Sequence, residues 1–296
     1  MITVHGMGVT QPDYAEPMKA KLKQAFGDRY DNLTIRPVYY QGLLQENEEA
    51  VWSRVDAKSK VHYDDLRRFL LFGFGDAAGL ETRKSDTNSV YEMAQQEIAR
   101  ALIDVYMTCG KDCIVVFLTQ SLGCQVLSNY IYDGQKSKHG GAVEAGIWRD
   151  LGHTRAVLGL AKAVPGHKKT VAEVLNEPEM LSFLRAETCW ARVSTGCNIP
   201  IFVAAHKTMN IKPIQRPNGS TTFQWLNFYD PDDVLGWPLQ PLSPEYEALV
   251  EDRPINAGHG ARNWILKSWN PLSHSTYWTD NSVIKPLADT LRNLLG

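Results

Sequence analysis

Short β-branched and aromatic runs alternate along this chain with amphipathic stretches of helical period. Residues 2–4, 33–40, 114–118, 191–196, 223–229 and 263–269 read as strands. A helix is expected from about Tyr14 to Phe26, with Ala15, Met18, Leu22 and Phe26 apolar. From 45 to 107 the pattern is helical, first around Trp52, then around Leu66 and Phe69. It ends in a long helix over 89–107 with Met93, Ile98, Leu102 and Val105 in register. Phe72-Gly-Phe-Gly75 interrupts that region and reads as a loop or hinge. A further helix starts at Leu122 and ends near Gly134, and a last one covers 282–295, with Ile284, Leu287, Leu291 and Leu294 on one face. The run Ile114 to Leu118 is continuously apolar, as in a strand buried on both faces. Strands separated by helices throughout predict one α/β domain over 1–296: a doubly wound, mainly parallel sheet of about six strands beginning at Ile2. Residues 136–185 break the alternation. They read either as a cap inserted over the carboxyl edge of the sheet or as a pair of ordinary packing helices.

Composition narrows the function classes. A hydrophobic content of 44% with 22% charged residues is ordinary for a globular protein, and a formal net charge of −2 gives no global field toward nucleic acid or anionic lipid. No apolar run reaches the ~20 residues of a membrane helix, and Met-Ile-Thr-Val-His-Gly lacks the basic and apolar regions of a signal peptide. A cytoplasmic protein is expected. Cys109, Cys113, Cys124, Cys189 and Cys197 form an odd, scattered set, expected to be thiols, mostly buried as small apolar groups. No second pair complements Cys109 and Cys113, so no metal site is expected.

The chemistry centres on Ser121, at the turn between the apolar strand and the next helix. A serine there projects its hydroxyl at the carboxyl end of the sheet, with the helix N-terminus behind it. Gly123 is the small residue two places on; Thr119 and Gln120 stand where Gly and often His are found in a nucleophile elbow. A serine nucleophile needs a base, and the base an orienting acid. His274, between the last strand candidate and the terminal helix, is better placed than His259, which precedes that strand. The acid should follow the strand ending at Tyr229. Asp233, just before Val234-Leu235, is favoured over Asp230, whose Asp-Pro sequence suits a turn. His5-Gly-Met-Gly8 after the first strand can expose backbone N–H groups. With Leu122, the N–H of Met7 would make an oxyanion hole, each donor worth ~3–4 kcal/mol. The third glycine of a dinucleotide loop is missing.

Val4-His-Gly-Met-Gly8, Ser121-Leu-Gly123 and the late Asp and His resemble the α/β-hydrolase superfamily, its lipase and esterase branch in particular. Asp233-Val-Leu-Gly-Trp-Pro-Leu-Gln-Pro-Leu242 is similar to the D-P-V-A-Y-R-L-E-P-L segment of intracellular phospholipase A1-type (DDHD) proteins. Thr195-Gly-Cys-Asn-Ile-Pro-Ile-Phe202 resembles their L-G-S-P-L-x-x-F turn, and His274-Ser-Thr-Tyr277-Trp278 their H-x-x-Y-W. The resemblance implies Ser121 as nucleophile, His274 as base and Asp233 as acid, in a sheet without the antiparallel strands that open larger members. It implies a serine hydrolase acting on a small-molecule or lipid carboxylic ester through an acyl-enzyme, with no cofactor. An amidase, thioesterase or acyltransferase on the same triad is the neighbouring expectation, and a non-catalytic binding protein of the same fold the more distant one. The oligomeric state is open.

Overall fold

The computed structural model describes residues 1–8, 10–161, 167–208, 211–217, 222–257, 274 and 276–295. In chain order the elements are β1 (Ile2–Val4), α1 (Glu16–Phe26), β2 (Arg36–Val38), α2 (Gln45–Lys58), α3 (Asp64–Glu81) and α4 (Val90–Cys109). Then come β3 (Val115–Gln120), α5 (Leu122–Lys138), α6 (Leu151–Gly159), α7 (Val171–Val174), α8 (Met180–Leu184) and β4 (Cys189–Thr195). The chain continues through α9 (Ile199–Val203), β5 (Gln224–Tyr229), α10 (Pro244–Leu249), β6 (Val250–Pro254) and α11 (Asn281–Leu295).

The strands form one six-stranded sheet in the order β2-β1-β3-β4-β5-β6, with every pairing parallel. Both faces are covered, as parallel strands require. Val115 and Phe117 of β3 face one apolar cluster, with Ile2, Val4, Leu102 and Leu127. Val116 and Leu118 face the other, with Met18, Leu22, Leu287 and Leu291 of α1 and α11. This is the doubly wound α/β arrangement expected from the uninterrupted apolar run. From β1 the chain steps one way to β2, then returns past β1 to β3 on its other side. The loops after β1 and β3 therefore diverge around a topological switch point, where open α/β sheets form a crevice for ligands. The first holds residues 5–8 and the second holds Ser121.

Phe72-Gly-Phe-Gly75 is not a hinge; it lies inside α3. Each glycine costs about 1 kcal/mol in a helix interior, but here it admits a neighbour. A Cβ on Gly73 would lie 2.6 Å from Met7 Sδ, and one on Gly75 2.6 Å from Glu48 Oε1. Packing overrides propensity, and α2 and α3 form a helical hairpin against the loop that follows β1. The sixth strand, β6, is also a departure from the sequence reading. Val250-Glu-Asp-Arg-Pro254 has little apolar pattern because it is an edge strand, a position where charge blunts open pairing. The strand expected over 263–269 lies outside the described residues, as does His259.

The described part of 136–185 packs as core helices. Trp148 Nε1 donates to Tyr130 O at 2.9 Å, the Ile147 N–H to Gln95 Oε1 at 3.0 Å, and Tyr130 Oη to Leu184 O at 2.6 Å. Ile147, Trp148, Leu158 and Phe183 are buried in the core beside α4 and α5. Among the described residues none of these contacts is with Ser121 or residues 5–8, so the cap reading draws no support from them. Cys124, Cys189 and Cys197 are buried free thiols, whereas Cys109 at the end of α4 is exposed. Among the described residues no helix is long and apolar enough to cross a membrane.

Candidate active site

Ser121 adopts φ 49° and ψ −123°. A non-glycine residue in this region costs on the order of 1–3 kcal/mol and persists only where its surroundings enforce it. Here β3 feeds straight into α5, and the Ser121 N–H is held by Thr195 O at 3.0 Å. The turn also requires a bare Cα at Gly123: a Cβ there would lie 2.3 Å from His5 O and 2.5 Å from Val4 O. The first turn of α5 is thus pressed against the end of β1. Thr119, where the elbow pattern has glycine, is fully buried, with its hydroxyl 3.2 Å from Cys124 Sγ. Gln120 extends away from the elbow, and its amide donates to His274 O. The two departures from the pattern therefore have definite partners, and the second ties the elbow to the histidine loop.

Of the candidate acids, Asp233 rather than Asp230 meets the histidine. His274 Nδ1 lies 2.7 Å from Asp233 Oδ2. Tyr277 Oη donates to the same oxygen at 2.9 Å, and the Leu235 N–H to Oδ1 at 3.0 Å. Burial alone would raise the Asp233 pKa; the His274 hydrogen bond and charge, with the Leu235 and Tyr277 donors, hold it below the ordinary value. Asp230 keeps the loop in shape instead. Its Oδ1 accepts the Asp232 N–H at 2.9 Å and its Oδ2 the Ala257 N–H at 2.8 Å. Gly196, at φ 51°, lets the chain pass close to the ring: a Cβ there would lie 3.1 Å from His274 Nδ1. The expected hydrogen bond between Ser121 Oγ and His274 Nε2 is not made; among the described residues both atoms are buried without a partner, as is Asn198 Oδ1 just beyond β4.

The glycine-rich loop lies over the elbow, and a Cβ on Gly6 would come within 2.7 Å of Ser121 Cβ. His5 pins its base. The Tyr40 N–H donates to His5 Nε2 at 3.2 Å, which leaves the ring proton on Nδ1 to be donated to Gly6 O at 2.8 Å. Burial lowers the His5 pKa to about 4, so the ring is neutral and structural. Leu122 is the first residue of α5, where an N–H has no intrahelical acceptor. The Gly8 N–H is taken by Asp76 Oδ2 at 2.8 Å.

Sequence reasoning left several of these residues without a role. Tyr277 was visible only as part of a motif, yet its hydroxyl supports Asp233 and accepts the Asp230 N–H at 2.9 Å. Gln120 was visible only as a departure from a pattern. Gln41, just before α2, gave no signal, and Glu48 and Asp76 gave none except that charged residues occupy positions in amphipathic helices. Among the described residues no group of three or more His, Cys, Asp or Glu side chains could hold a metal ion. No family model, no curated protein and no solved structure matches this chain, and the reading of the site rests on its own geometry.

Proposed function

We propose that this protein is a serine hydrolase of the α/β-hydrolase type that cleaves carboxylic esters. One observation carries the reading. A strained serine at a strand-to-helix turn shares a sheet edge with a buried His274–Asp233 pair, and among the described residues the serine oxygen and the other ring nitrogen have no partner and are left for substrate and proton transfer. In the reaction, His274 Nε2 takes the proton of Ser121 Oγ as the oxygen attacks the ester carbonyl. The Met7 and Leu122 N–H groups receive the developing oxyanion, and Asp233 supports the imidazolium. His274 then protonates the leaving alcohol. Water, deprotonated by the same nitrogen, releases the acid and restores the serine.

Exposed apolar residues lie close in the chain to these parts and favour an apolar acyl group. Val234 and Trp237 follow Asp233 in the chain, Ile201 lies just beyond Gly196, and Phe74 adjoins the Gly73 that faces Met7. The test is a panel of p-nitrophenyl esters of rising acyl length, with matched thioesters and anilides, run on the protein and on Ser121→Ala. Ester turnover that rises with acyl length and disappears in Ser121→Ala is expected. Equal turnover by the two proteins, or faster turnover of the anilides, would overturn the reading.

A further inference from the structure

Behind the glycine loop, α2 and α3 bring two carboxyl groups together inside the protein. Asp76 is fully buried and Glu48 is 6% exposed. The Gly8 N–H reaches Asp76 Oδ2 at 2.8 Å, and Gln41 Nε2 donates to Asp76 Oδ1 at 2.7 Å and to Glu48 Oε2 at 3.5 Å. Among the described residues no donor reaches Glu48 Oε1, which is buried against the bare Cα of Gly75. The charged and titratable groups around the pair do not neutralise it. Glu49 of α2 is committed to Arg68 of α3, the Tyr40 hydroxyl donates to His5 O, and His5 is neutral. Among the described residues neither Glu48 nor Asp76 has an ion-pair partner.

Two carboxylates cannot both ionise in such a place, so the pair keeps a proton. Burial, then the charge of Asp76, push Glu48 up to about 8. Burial also raises Asp76, but the Gly8, Gln41 and Glu48 donors limit the rise to about 6. Near neutral pH, Glu48 is therefore the acid that donates and Asp76 the carboxylate that accepts. An ionised acceptor makes the stronger bond to the Gly8 N–H.

We propose that the Glu48–Asp76 pair is the positioning device of the oxyanion loop: Asp76 grips the Gly8 amide and so aims the Met7 N–H toward the carbonyl oxygen bound at Ser121. This rests on the hydrolase reading above. The pair touches no reacting atom and acts through the loop alone. Loss of the Glu48 proton sets two buried carboxylates against each other and loosens the α2–α3 hairpin from the loop. Protonation of Asp76 weakens its grip on Gly8. The loop is held best between these two events.

The test is the rate at which an uncharged fluorophosphonate labels Ser121 between pH 5 and 9.5, in the protein, Ser121→Ala, Asp76→Asn and Glu48→Gln, with circular dichroism at each pH. The pH profile of each protein is read against its own value at pH 7.5, and Asp76→Asn is also compared with the unaltered protein at each pH. The unaltered protein should label about tenfold more slowly at pH 9 than at its plateau, as expected for loss of one essential proton near 8. Glu48→Gln cannot lose that proton and should show no alkaline fall. Asp76→Asn should label about ten- to a hundredfold more slowly throughout, the scale of a misplaced oxyanion donor. Glu48→Gln carries the test alone if Asp76→Asn does not fold. An alkaline fall in Glu48→Gln equal to that of the unaltered protein, or a folded Asp76→Asn labelled at the full rate, overturns the role of the pair and leaves the hydrolase reading standing. Absence of labelling in the unaltered protein at every pH overturns both.

Discussion

Asp233 and Asp76 are both buried aspartates within one hydrogen bond of the candidate site, yet their environments drive them in opposite directions. Asp233 faces a histidine ring, a phenol and a backbone amide, and is held below the ordinary carboxylate range. Asp76 faces two amide donors and a second carboxyl group, and is pushed up to about 6. Depth of burial does not separate them, since both lie almost wholly out of solvent. The neighbours decide. A group that can become a cation fixes the charge of one acid, and a like partner makes the other share a proton. One fold thus holds one acid charged against the His274 ring and leaves the other to share a proton behind the glycine loop.

The contrast can be broken most severely at the chemistry itself. Ser121→Ala and His274→Ala should each lower ester kcat by about 10⁶-fold, and Asp233→Asn by about 10⁴-fold, because triad members act as a unit while the acid only supports the base. Steady-state kinetics on one activated ester measure all three. Asp230→Ala is the control for position. Among the described residues the Asp230 carboxylate holds only backbone amides, so its loss should lower stability by about 1–3 kcal/mol and leave kcat within a few fold. A large kcat loss in Asp230→Ala with Asp233→Asn nearly normal would reverse the roles of the two acids.

Tyr277→Phe should have a smaller effect. It removes the phenol donor from Asp233 and leaves the Asp230 N–H without its acceptor, worth about 1–3 kcal/mol in denaturant unfolding. The activity of this variant should be more sensitive to low pH, since Asp233 loses one of the donors that depress its pKa.

These partners mark the limit of what the chain discloses in one dimension. The place of Ser121 at a strand-to-helix turn was legible because its context is local: an apolar strand, a small residue two places on and a helix. The pairing of His274 with Asp233 followed from the order of loops at one sheet edge, which parallel topology constrains. Tyr277, Gln120 and the Glu48–Asp76 pair depend on which side chains meet across 28 or more residues, and no periodicity records that. Glu48 is the plainest case, because its place in α2 reads as an ordinary polar position until Gly75 of α3 packs over it. Phe72–Gly75 misled for the same reason: glycines that admit Met7 and Glu48 look in sequence like a break. β6 was hidden by its edge position, where charged residues replace the apolar run.

The smallest expected effect is on stability against pH, and there the two acids should give opposite slopes. Glu48 has a folded pKa of about 8, above its ordinary 4.5. Its contribution to stability is complete below the unfolded value and is lost as pH rises through 8. Asp233 is depressed, so its contribution is present above the unfolded value and is lost as pH falls through its folded value. Thermal melts should therefore show Glu48→Gln more stable than the unaltered protein at pH 9, with the gap closing toward pH 5. Asp233→Asn should be the less stable variant at neutral pH, its deficit shrinking in acid. Parallel curves would remove the distinction between the two sites.

The most direct measurement is intact-mass and peptide mapping after exposure to a fluorophosphonate. The account predicts one adduct per chain, located on Ser121, absent from Ser121→Ala and formed far more slowly in His274→Ala. An adduct that persists in Ser121→Ala, or a fully folded protein that forms none, would contradict the assignment of Ser121 as a nucleophile activated by His274.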